Sequence, residues 1–318
     1  MPLGLASLSV SPLIRAQASL SSARSINLLV PFAPGGGTDI VARAIAPKLS
    51  ERLGVSVVVD NKPGAGTVIG AELVARARPD GTTLLLSGAS TWSINPAMRN
   101  KLRYDALKDF SPVAIIARVP LLLLVPAESE LRSVQDLVVK AKAQPGRLNY
   151  ATHGPGTVPH LAGELLQMAA SIKLADVAYK GSAPAMFALL SKEVEVSLDT
   201  AASAAPQIKA GKIRALANFG AVRSPLLPTL PTIAEAGYPG ATFDGWYGVA
   251  APGGTPAPVV ERLSRELLDI MKLPDIRASL QAQSIDTAAV AAAAMGKQIE
   301  AEISKYRALA YRAGIRLD

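Results

Sequence analysis

Two glycine-rich segments of the sequence are suited to binding a small molecule, and the first is FAPGGGTD at residues 32–39. An apolar, strand-like run precedes it and an apolar pattern with helical spacing follows, so the segment leads into a helix. A helix N-terminus exposes free peptide N–H groups and about half a positive charge, which favours anions. The segment has no Lys, unlike a nucleotide-binding P-loop. A plain turn, with Asp39 capping the helix, is the alternative interpretation.

The second segment is YATHGPGTVPHL, residues 150–161, and it has the same construction. It follows a strand-like run, carries glycines and a Thr, and has Pro159 where the first turn of a helix is expected. Two such segments facing across a cleft would suit a molecule with two carboxylates, or with one carboxylate and a polar end. A pair of turns with helix caps remains the alternative.

Both histidines of the sequence, His153 and His160, lie in the second segment, and Glu164 follows His160 by four residues. Such a pair on a helix can supply two metal ligands. No third ligand is apparent nearby and the chain has no Cys, so no metal site is predicted. One imidazole is expected to hydrogen-bond a ligand or the loop backbone, and for His160 a capping or packing role is an equal alternative.

Two further motifs deserve a chemical interpretation. Gly64, Gly66 and Gly70 resemble a dinucleotide fingerprint, but their spacing is GxGxxxG and no acidic residue ends a strand about 20 residues later, so no cofactor is predicted. Asp199 ends the strand-like run VEVSLD, where it could receive an ammonium, a hydroxyl or a water, or could cap the next helix. No Ser-His-Asp order or paired carboxylates indicate catalysis, so the chain is not expected to be an enzyme.

The composition narrows the class of protein further. The 318 residues carry a formal net charge of +8, but the basic residues are scattered and aromatic residues make up only 4%. This argues against nucleic acid as a partner and fits weak steering of an acidic solute. The absence of Cys excludes disulfides and thiolate metal sites. No run reaches the 18 or more apolar residues of a membrane span.

The elements that must position these segments alternate between strands and helices from residue 25 onward. Such alternation predicts an α/β protein with parallel sheets and helices on both faces, and ligands at the carboxyl ends of strands. The chain is expected to cross into a second lobe near residues 120–125 and to return near 243–250. A helical tail without strands of its own should then cover the first lobe. Residues 1–24 are predicted to be an export signal or a disordered leader.

A series of motifs, in order, resembles one known family. They are VPFAPGGGTDIVAR, DNKPGAGTVIGAELVARARPDGTTLLL, INPAM, GTVPHLAGELL, YKGSAPAM, IKAGKIRAL, RSPLLPTLPTIAEAGYPG and WYGVAAPGGTPAPVVERL. Together they resemble the Bug family, the extracytoplasmic solute receptors of tripartite tricarboxylate transporters. The resemblance extends from about residue 25 to the C-terminus, and it is far more specific than a single glycine loop.

The resemblance implies a two-lobe periplasmic-binding-protein fold, type II-like, with two chain crossings and with C-terminal helices packing on lobe 1. Lobe 1 would comprise residues 25–122 and 246–318, and lobe 2 residues 123–245. Such receptors close around small carboxylates, including di- and tricarboxylates, acidic amino acids and aromatic acids, with ordered waters bridging the ligand to lobe 1. The ligand-binding residues carried over to this sequence are Ala33, Gly35, Gly36, Gly37, Thr38, Asp39, Ser87, His153, Gly154, Gly156, Thr157, His160, Ala183 and Asp199. His153 departs from the small residues that the family usually has there.

The predicted function is therefore a monomeric periplasmic receptor that delivers a small carboxylate to membrane transporter subunits. One alternative is a receptor that signals to a sensor kinase. Another is a cytoplasmic enzyme that uses a nucleotide or a sugar phosphate, against which the missing P-loop Lys and catalytic set argue.

Overall fold

The computed structural model describes residues 25–224, 227–313, 315 and 317, so the expected leader at residues 1–24 lies outside the described residues. The described residues form eleven strands: β1 (Ser25–Val30), β2 (Ser56–Asn61), β3 (Thr83–Gly88), β4 (Phe110–Val119), β5 (Leu121–Pro126), β6 (Asn149–Thr152), β7 (Ala175–Ala178), β8 (Val196–Thr200), β9 (Ile213–Asn218), β10 (Gly245–Pro252) and β11 (Asp286–Ala291).

The same residues form ten α-helices: α1 (Gly37–Leu53), α2 (Val68–Ala75), α3 (Asn95–Met98), α4 (Val134–Ala143), α5 (Val158–Ala170), α6 (Ser182–Leu190), α7 (Ala201–Lys209), α8 (Ala257–Ile270), α9 (Pro274–Gln281) and α10 (Ala292–Ala313). None of these helices has the length and apolar composition that crossing a membrane requires. Helix α4 begins with a reciprocal capping box between Ser133 and Asp136.

The strands assemble into two sheets, and each sheet is the centre of one lobe. The first sheet has the order β11-β4-β10-β3-β1-β2, and the second has the order β7-β6-β8-β5-β9. The chain passes from the first sheet to the second between β4 and β5, and it returns between β9 and β10. The two lobes are thus joined by two crossings, as expected.

The expectation that both sheets are parallel is wrong, because each sheet is mixed. Strands β1, β2 and β3 run parallel, whereas β10 is antiparallel to both β3 and β4. In the second sheet β5 is antiparallel to β8 and β9. Strands β5 and β10, the first strands after each crossing, run opposite to the neighbours with which they pair, which the local alternation of strands and helices does not reveal.

The expectation of a helical tail without strands is also wrong. Residues 286–291, DTAAVA, form β11, which pairs antiparallel with β4 at the edge of the first sheet. Alanine favours a helix locally, but the open edge of β4 offers a row of unpaired peptide groups. Pairing with that edge overrides the local preference.

Alternate residues of the central strands enter different cores. In β1, Leu28 packs with helices α1 and α8, whereas Leu29 packs on the opposite face with Trp92. In β5, Leu122 and Leu124 face the side of α6 and α7, while Leu121, Leu123 and Val125 face the side of α4 and α5. Each lobe therefore has three layers, with helices covering both faces of its sheet.

Helix α10 packs on lobe 1 through a partly buried carboxylate. Glu302 accepts hydrogen bonds from the hydroxyl of Ser93 (2.7 Å), from Nε1 of Trp246 (2.9 Å) and from Nε2 of Gln298 (2.9 Å). Burial raises the pKa of Glu302, although these donors oppose the shift. The contact fixes Trp246, whose ring stacks on Trp92 at 5.7 Å between centroids.

Replacing Glu302 should therefore destabilise lobe 1. Glu302→Ala leaves the Trp246 and Ser93 donors without their acceptor, so the free energy of unfolding should fall by about 1–3 kcal/mol. Urea denaturation followed by tryptophan fluorescence measures this loss. Glu300→Ala, at an exposed position of the same helix, is the control, and an equal loss in both variants would contradict the assigned role of Glu302.

Candidate functional site

The first glycine-rich segment connects β1 to the N-terminus of α1, as predicted. The helix begins at Gly37 with Gly36 as its N-cap, so the expectation that Asp39 caps the helix is wrong. Asp39 lies in the first turn, and its carboxylate accepts the Gly35 N–H at 2.9 Å. Because the residues at the turn are glycines, no side chain caps the helix. The Asp39 carboxylate instead hydrogen-bonds the backbone of the preceding segment and holds it in place.

Asp39 is held in place by further partners. It accepts hydrogen bonds from Nε of Arg43 (2.9 Å) and from Nδ2 of Asn61 (3.0 Å). Burial acts to raise the pKa of the Asp39 carboxyl, but these bonds and the Gly35 amide outweigh it, so the pKa lies below its ordinary value. Asp39 therefore stabilises the conformation of the first segment through these hydrogen bonds. It is not among the lining residues of the cavity described below.

The second segment connects β6 to α5, again as predicted. Gly154 and Gly156 have φ of +102° and +83°, a region that side chains other than glycine rarely adopt. The Thr157 hydroxyl donates to the Gly154 carbonyl at 2.6 Å, and the Thr157 amide donates to the same oxygen at 3.2 Å. Thr157 thus closes the turn instead of presenting its hydroxyl to a ligand.

The two lobes touch directly around these segments. The Ala33 amide of lobe 1 donates to the Lys180 carbonyl of lobe 2 at 3.2 Å. The Val158 amide, at the first position of α5, donates to the Ser90 hydroxyl of lobe 1 at 3.0 Å. A Cβ at Gly66 would overlap the Pro155 carbonyl oxygen. The cleft is therefore closed along this line of contacts.

The cleft contains a cavity of about 50 Å³. It is lined by Phe32, Gly36, Gly37, Thr38, Gly88, Ala89, Ser90, Val119, Leu121, His153, Val158, Pro159, Ser182, Thr200, Gly245, Trp246 and Tyr247. Aromatic and aliphatic groups share this lining with hydroxyl groups. None of the described lining residues is a Lys or an Arg.

Four helix N-termini converge on the cavity. The lining residues Gly37, Val158 and Ser182 are the first residues of α1, α5 and α6, and Thr200 is the N-cap of α7. These helices contain 17, 13, 9 and 9 residues. Each end adds about half a positive charge from peptide N–H groups, so the cavity favours an anion without any cationic side chain.

Gly37 permits the contact between α1 and α7. A Cβ at Gly37 would lie 2.8 Å from the Tyr247 hydroxyl and 3.1 Å from Oγ1 of Thr200. The Tyr247 hydroxyl lies beside the side chains of Thr38 and Thr200 and so links the lobes. A larger residue at position 37 would separate these groups.

Asp199 is fully buried behind the cavity in lobe 2. Its carboxylate accepts the hydroxyls of Ser182 (2.7 Å) and Ser203 (2.8 Å) and the Thr200 amide (2.6 Å). Burial acts to raise the pKa of this carboxyl, but the neighbouring His153 and the serine hydroxyls outweigh it and hold the pKa below its ordinary value. The carboxylate therefore compensates the N-termini of α6 and α7.

His153 lies between Asp199 and the cavity. Its side chain is 7% exposed, and its Nε2 atom is 3.4 Å from Oδ1 of Asp199. This exceeds the usual N–H···O range of about 2.7–3.2 Å, and Nε2 has no hydrogen-bond partner. The His153 ring packs edge-on against Phe32, with 6.2 Å between ring centroids.

The remaining predicted residues lie near the cavity without lining it. The Ser87 hydroxyl bonds to Thr91 at 2.6 Å, and Ala183 packs against Gly35 across the cleft. His160 is buried in α5, and its Nδ1 atom has no hydrogen-bond partner. Glu164 accepts hydrogen bonds from Tyr150 and Gln167. Among the described residues, no group of three or more His, Cys, Asp or Glu could hold a metal.

Of the ligand-binding residues predicted from the sequence, four line the cavity, namely Gly36, Gly37, Thr38 and His153, and most of the remaining lining residues were not predicted. The missed polar residues are Ser90, Ser182, Thr200 and Tyr247. Each had a usable signal, because Ser182 and Thr200 begin or cap helices and Ser90 follows a strand. Tyr247 lies in the aromatic segment where the chain was expected to return to lobe 1.

The comparisons with known proteins agree with this architecture. A model of the "Tripartite tricarboxylate transporter family receptor" matches residues 41–315. The periplasmic binding protein BugD superposes with a TM-score of 0.88 at 34% identity, covering 92% of this chain and 98% of its own.

Two further neighbours come from Rhodopseudomonas palustris and were solved with ligands. Rpa4515 with adipate has a TM-score of 0.89 at 36% identity and covers 93% of this chain and 99% of its own. MatC with bound malate has a TM-score of 0.87 at 31% identity and covers 90% of this chain and 99% of its own.

Two lobes with two crossings and a cavity between them define a solute-binding protein of the periplasmic-binding-protein fold. The chain belongs to the tripartite tricarboxylate transporter receptor family, and the resemblance to the Bug proteins is confirmed. The family and these neighbours are solute-binding proteins, not enzymes.

Asp199 should make stability depend on pH. Because its folded pKa is lowered, the stability that it adds is present above about pH 4 and is lost as pH falls toward the folded pKa. Urea denaturation from pH 3 to 7 measures this slope, which Asp199→Asn should flatten while losing about 1–3 kcal/mol at pH 7. Asp176→Asn, at an exposed position of β7, should retain the native slope; an unchanged slope in Asp199→Asn would contradict the assignment.

Gly66 and Gly54 provide a matched test of the contact between lobes. Both have positive φ, +62° and +71°, but Gly54 faces open space, so Gly54→Ala should lose about 1–2 kcal/mol of stability and leave the shape unchanged. Gly66→Ala should push Pro155 away and raise the radius of gyration measured by small-angle X-ray scattering. An identical radius in the two variants would show that this contact does not hold the lobes together.

Proposed function

We propose that this protein is a periplasmic receptor that binds a small carboxylate between its lobes and delivers it to the membrane subunits of a tripartite tricarboxylate-type transporter. We assign residues 25–122 and 246–318 to lobe 1 and residues 123–245 to lobe 2, with bounds that lie within two residues of the starts of β5 and β10. The family of the chain and the name of its neighbour BugD support the transport role and the location.

The convergence of four helix N-termini on one cavity is the observation that carries this proposal. A carboxylate in this cavity would accept peptide N–H groups of α1 and the hydroxyls of Thr38, Ser90 and Tyr247. Such charge-assisted hydrogen bonds contribute about 1.5–3 kcal/mol each. Four or five of them supply the roughly 8 kcal/mol that micromolar binding requires.

The lining of the cavity favours a small acid with a short carbon chain. Phe32, Val119 and Trp246 offer apolar surface to a short carbon chain, and ordered water completes the hydrogen bonds of a second polar end. The malate and adipate bound by the two R. palustris neighbours are acids of this kind.

The direct test is a thermal-shift and calorimetric screen with malate, adipate, succinate, glutamate and benzoate. A cognate acid should raise the unfolding temperature, because a ligand at 100 times its Kd adds about 2.7 kcal/mol to the stability of the folded state. If none of these acids produces either a shift or heat, the proposed ligand class is wrong.

Tyr247→Phe tests whether the acid binds in this cavity. The variant keeps the ring but loses the hydroxyl that links Thr38 and Thr200, so Kd for the bound acid should rise about five- to tenfold, the equivalent of one hydrogen bond. Calorimetric titration measures the change. Tyr311→Phe, at a residue that is 82% exposed, should bind normally, and equal affinity in both variants would place the ligand elsewhere.

A further inference from the structure

The described lining of the cavity has an uneven charge distribution. Asp199 places a buried carboxylate behind it, whereas no Lys or Arg lines it. His153 is the titratable residue between that carboxylate and the cavity, with Nε2 buried, unpartnered and 3.4 Å from Oδ1 of Asp199. His153 is therefore the group on which a positive charge could appear between Asp199 and a bound anion.

Among the described residues that line the cavity, one titratable group other than His153 is present. Tyr247 approaches from β10, and burial raises its pKa, so it stays neutral near pH 7. The first segment contributes Phe32, α5 contributes Val158, and α6 contributes Ser182. These three side chains carry no charge.

The other nearby charges are already satisfied or face solvent. Asp39 and Arg43 of α1 form an ion pair with 2.9 Å between Oδ2 and Nε. Lys180 is exposed, and only its carbonyl joins the contact between lobes. The Tyr179 hydroxyl donates to Glu193 at the surface. Asp199 is thus the charge that acts most directly on His153.

A ligand carboxylate in the cavity would place a second negative charge on the far side of His153. Like charges in a site screened from water raise each other's energy, and a proton between them removes that repulsion. We propose that ligand binding is linked to protonation of His153, which then stands as an imidazolium between Asp199 and the ligand. The inference rests on the proposed function, because it requires an anionic ligand.

The sign of the pH dependence follows from this arrangement. Ligand carboxylates stay ionised between pH 6 and 9, so the change in protonation falls on the protein. If binding takes up a proton, affinity must rise as pH falls, by up to about tenfold per pH unit over the range in which only the complex is protonated. Imidazole is the side chain suited to titrate in this range.

Isothermal titration calorimetry in two buffers of different ionisation enthalpy tests the proposal. The probe is whichever of malate, adipate, succinate, glutamate and benzoate gives the largest thermal shift. Near pH 7.5 the unmodified protein should take up about 0.5 to 1 proton per bound ligand. Over part of the range from pH 6 to 9, Kd should rise about three- to tenfold for each unit by which the pH increases.

The two histidines of the chain provide a matched pair of variants. His153→Gln should abolish proton uptake and flatten the pH dependence of Kd, whereas His160→Gln, which alters a buried imidazole outside the described lining, should leave both unchanged. The histidine ring signals in NMR spectra of the unmodified protein give a second readout. Ligand should shift the titration of the His153 signal to higher pH, and this readout requires no variant of His153 to fold.

The outcomes separate this inference from the proposed function. Binding without proton uptake, or with a His153 titration that ligand does not move, would overturn the inference and leave the receptor function standing. Proton uptake that survives in His153→Gln and disappears in His160→Gln would also overturn it. No thermal shift from any of the five acids would contradict the proposed function itself, and this inference with it.

Discussion

The N-termini of four helices meet at one small cavity, and the rest of the structure holds them there. Helix α1 comes from one lobe, and α5, α6 and α7 come from the other. Convergent positive ends repel one another unless negative charge lies between them. The fold therefore needs an anion at this point, and it supplies part of that charge itself.

Asp199 is the negative charge that the protein itself supplies at the cavity, and its position determines which helix N-termini are compensated. Its carboxylate binds Ser182 at the start of α6 and Thr200 at the cap of α7, which compensates those two ends. Helix α5 has no acidic residue in its first turn, and the carboxylate near α1, Asp39, is paired with Arg43. The N-termini of α1 and α5 are consequently the ones whose positive charge remains to be compensated by a ligand.

The sequence predicts local structure, such as turns and helix starts, better than it predicts which side chains contact a ligand. The segments at residues 32–39 and 150–161 do lead from strands into helices, and the capping box at Ser133 is present, because these features depend on neighbouring residues. Asp39 and Thr157 hold their segments from behind. The sequence alone could not separate such a supporting role from a binding role, since both use the same polar atoms near a turn.

By itself the sequence determined the alternation of strands and helices, the two glycine-rich segments, the family and the lack of a cationic side chain within either segment. Only the tertiary structure decided that the sheets are mixed, that DTAAVA forms the edge strand β11, and that Tyr247 and Thr200 meet Thr38 across the cleft. The reason is physical: turns and helix starts are encoded within a few residues, whereas strand direction and cavity lining depend on groups far apart in the chain. The same holds for His153, whose position beside Asp199 follows from the pairing of β6 with β8.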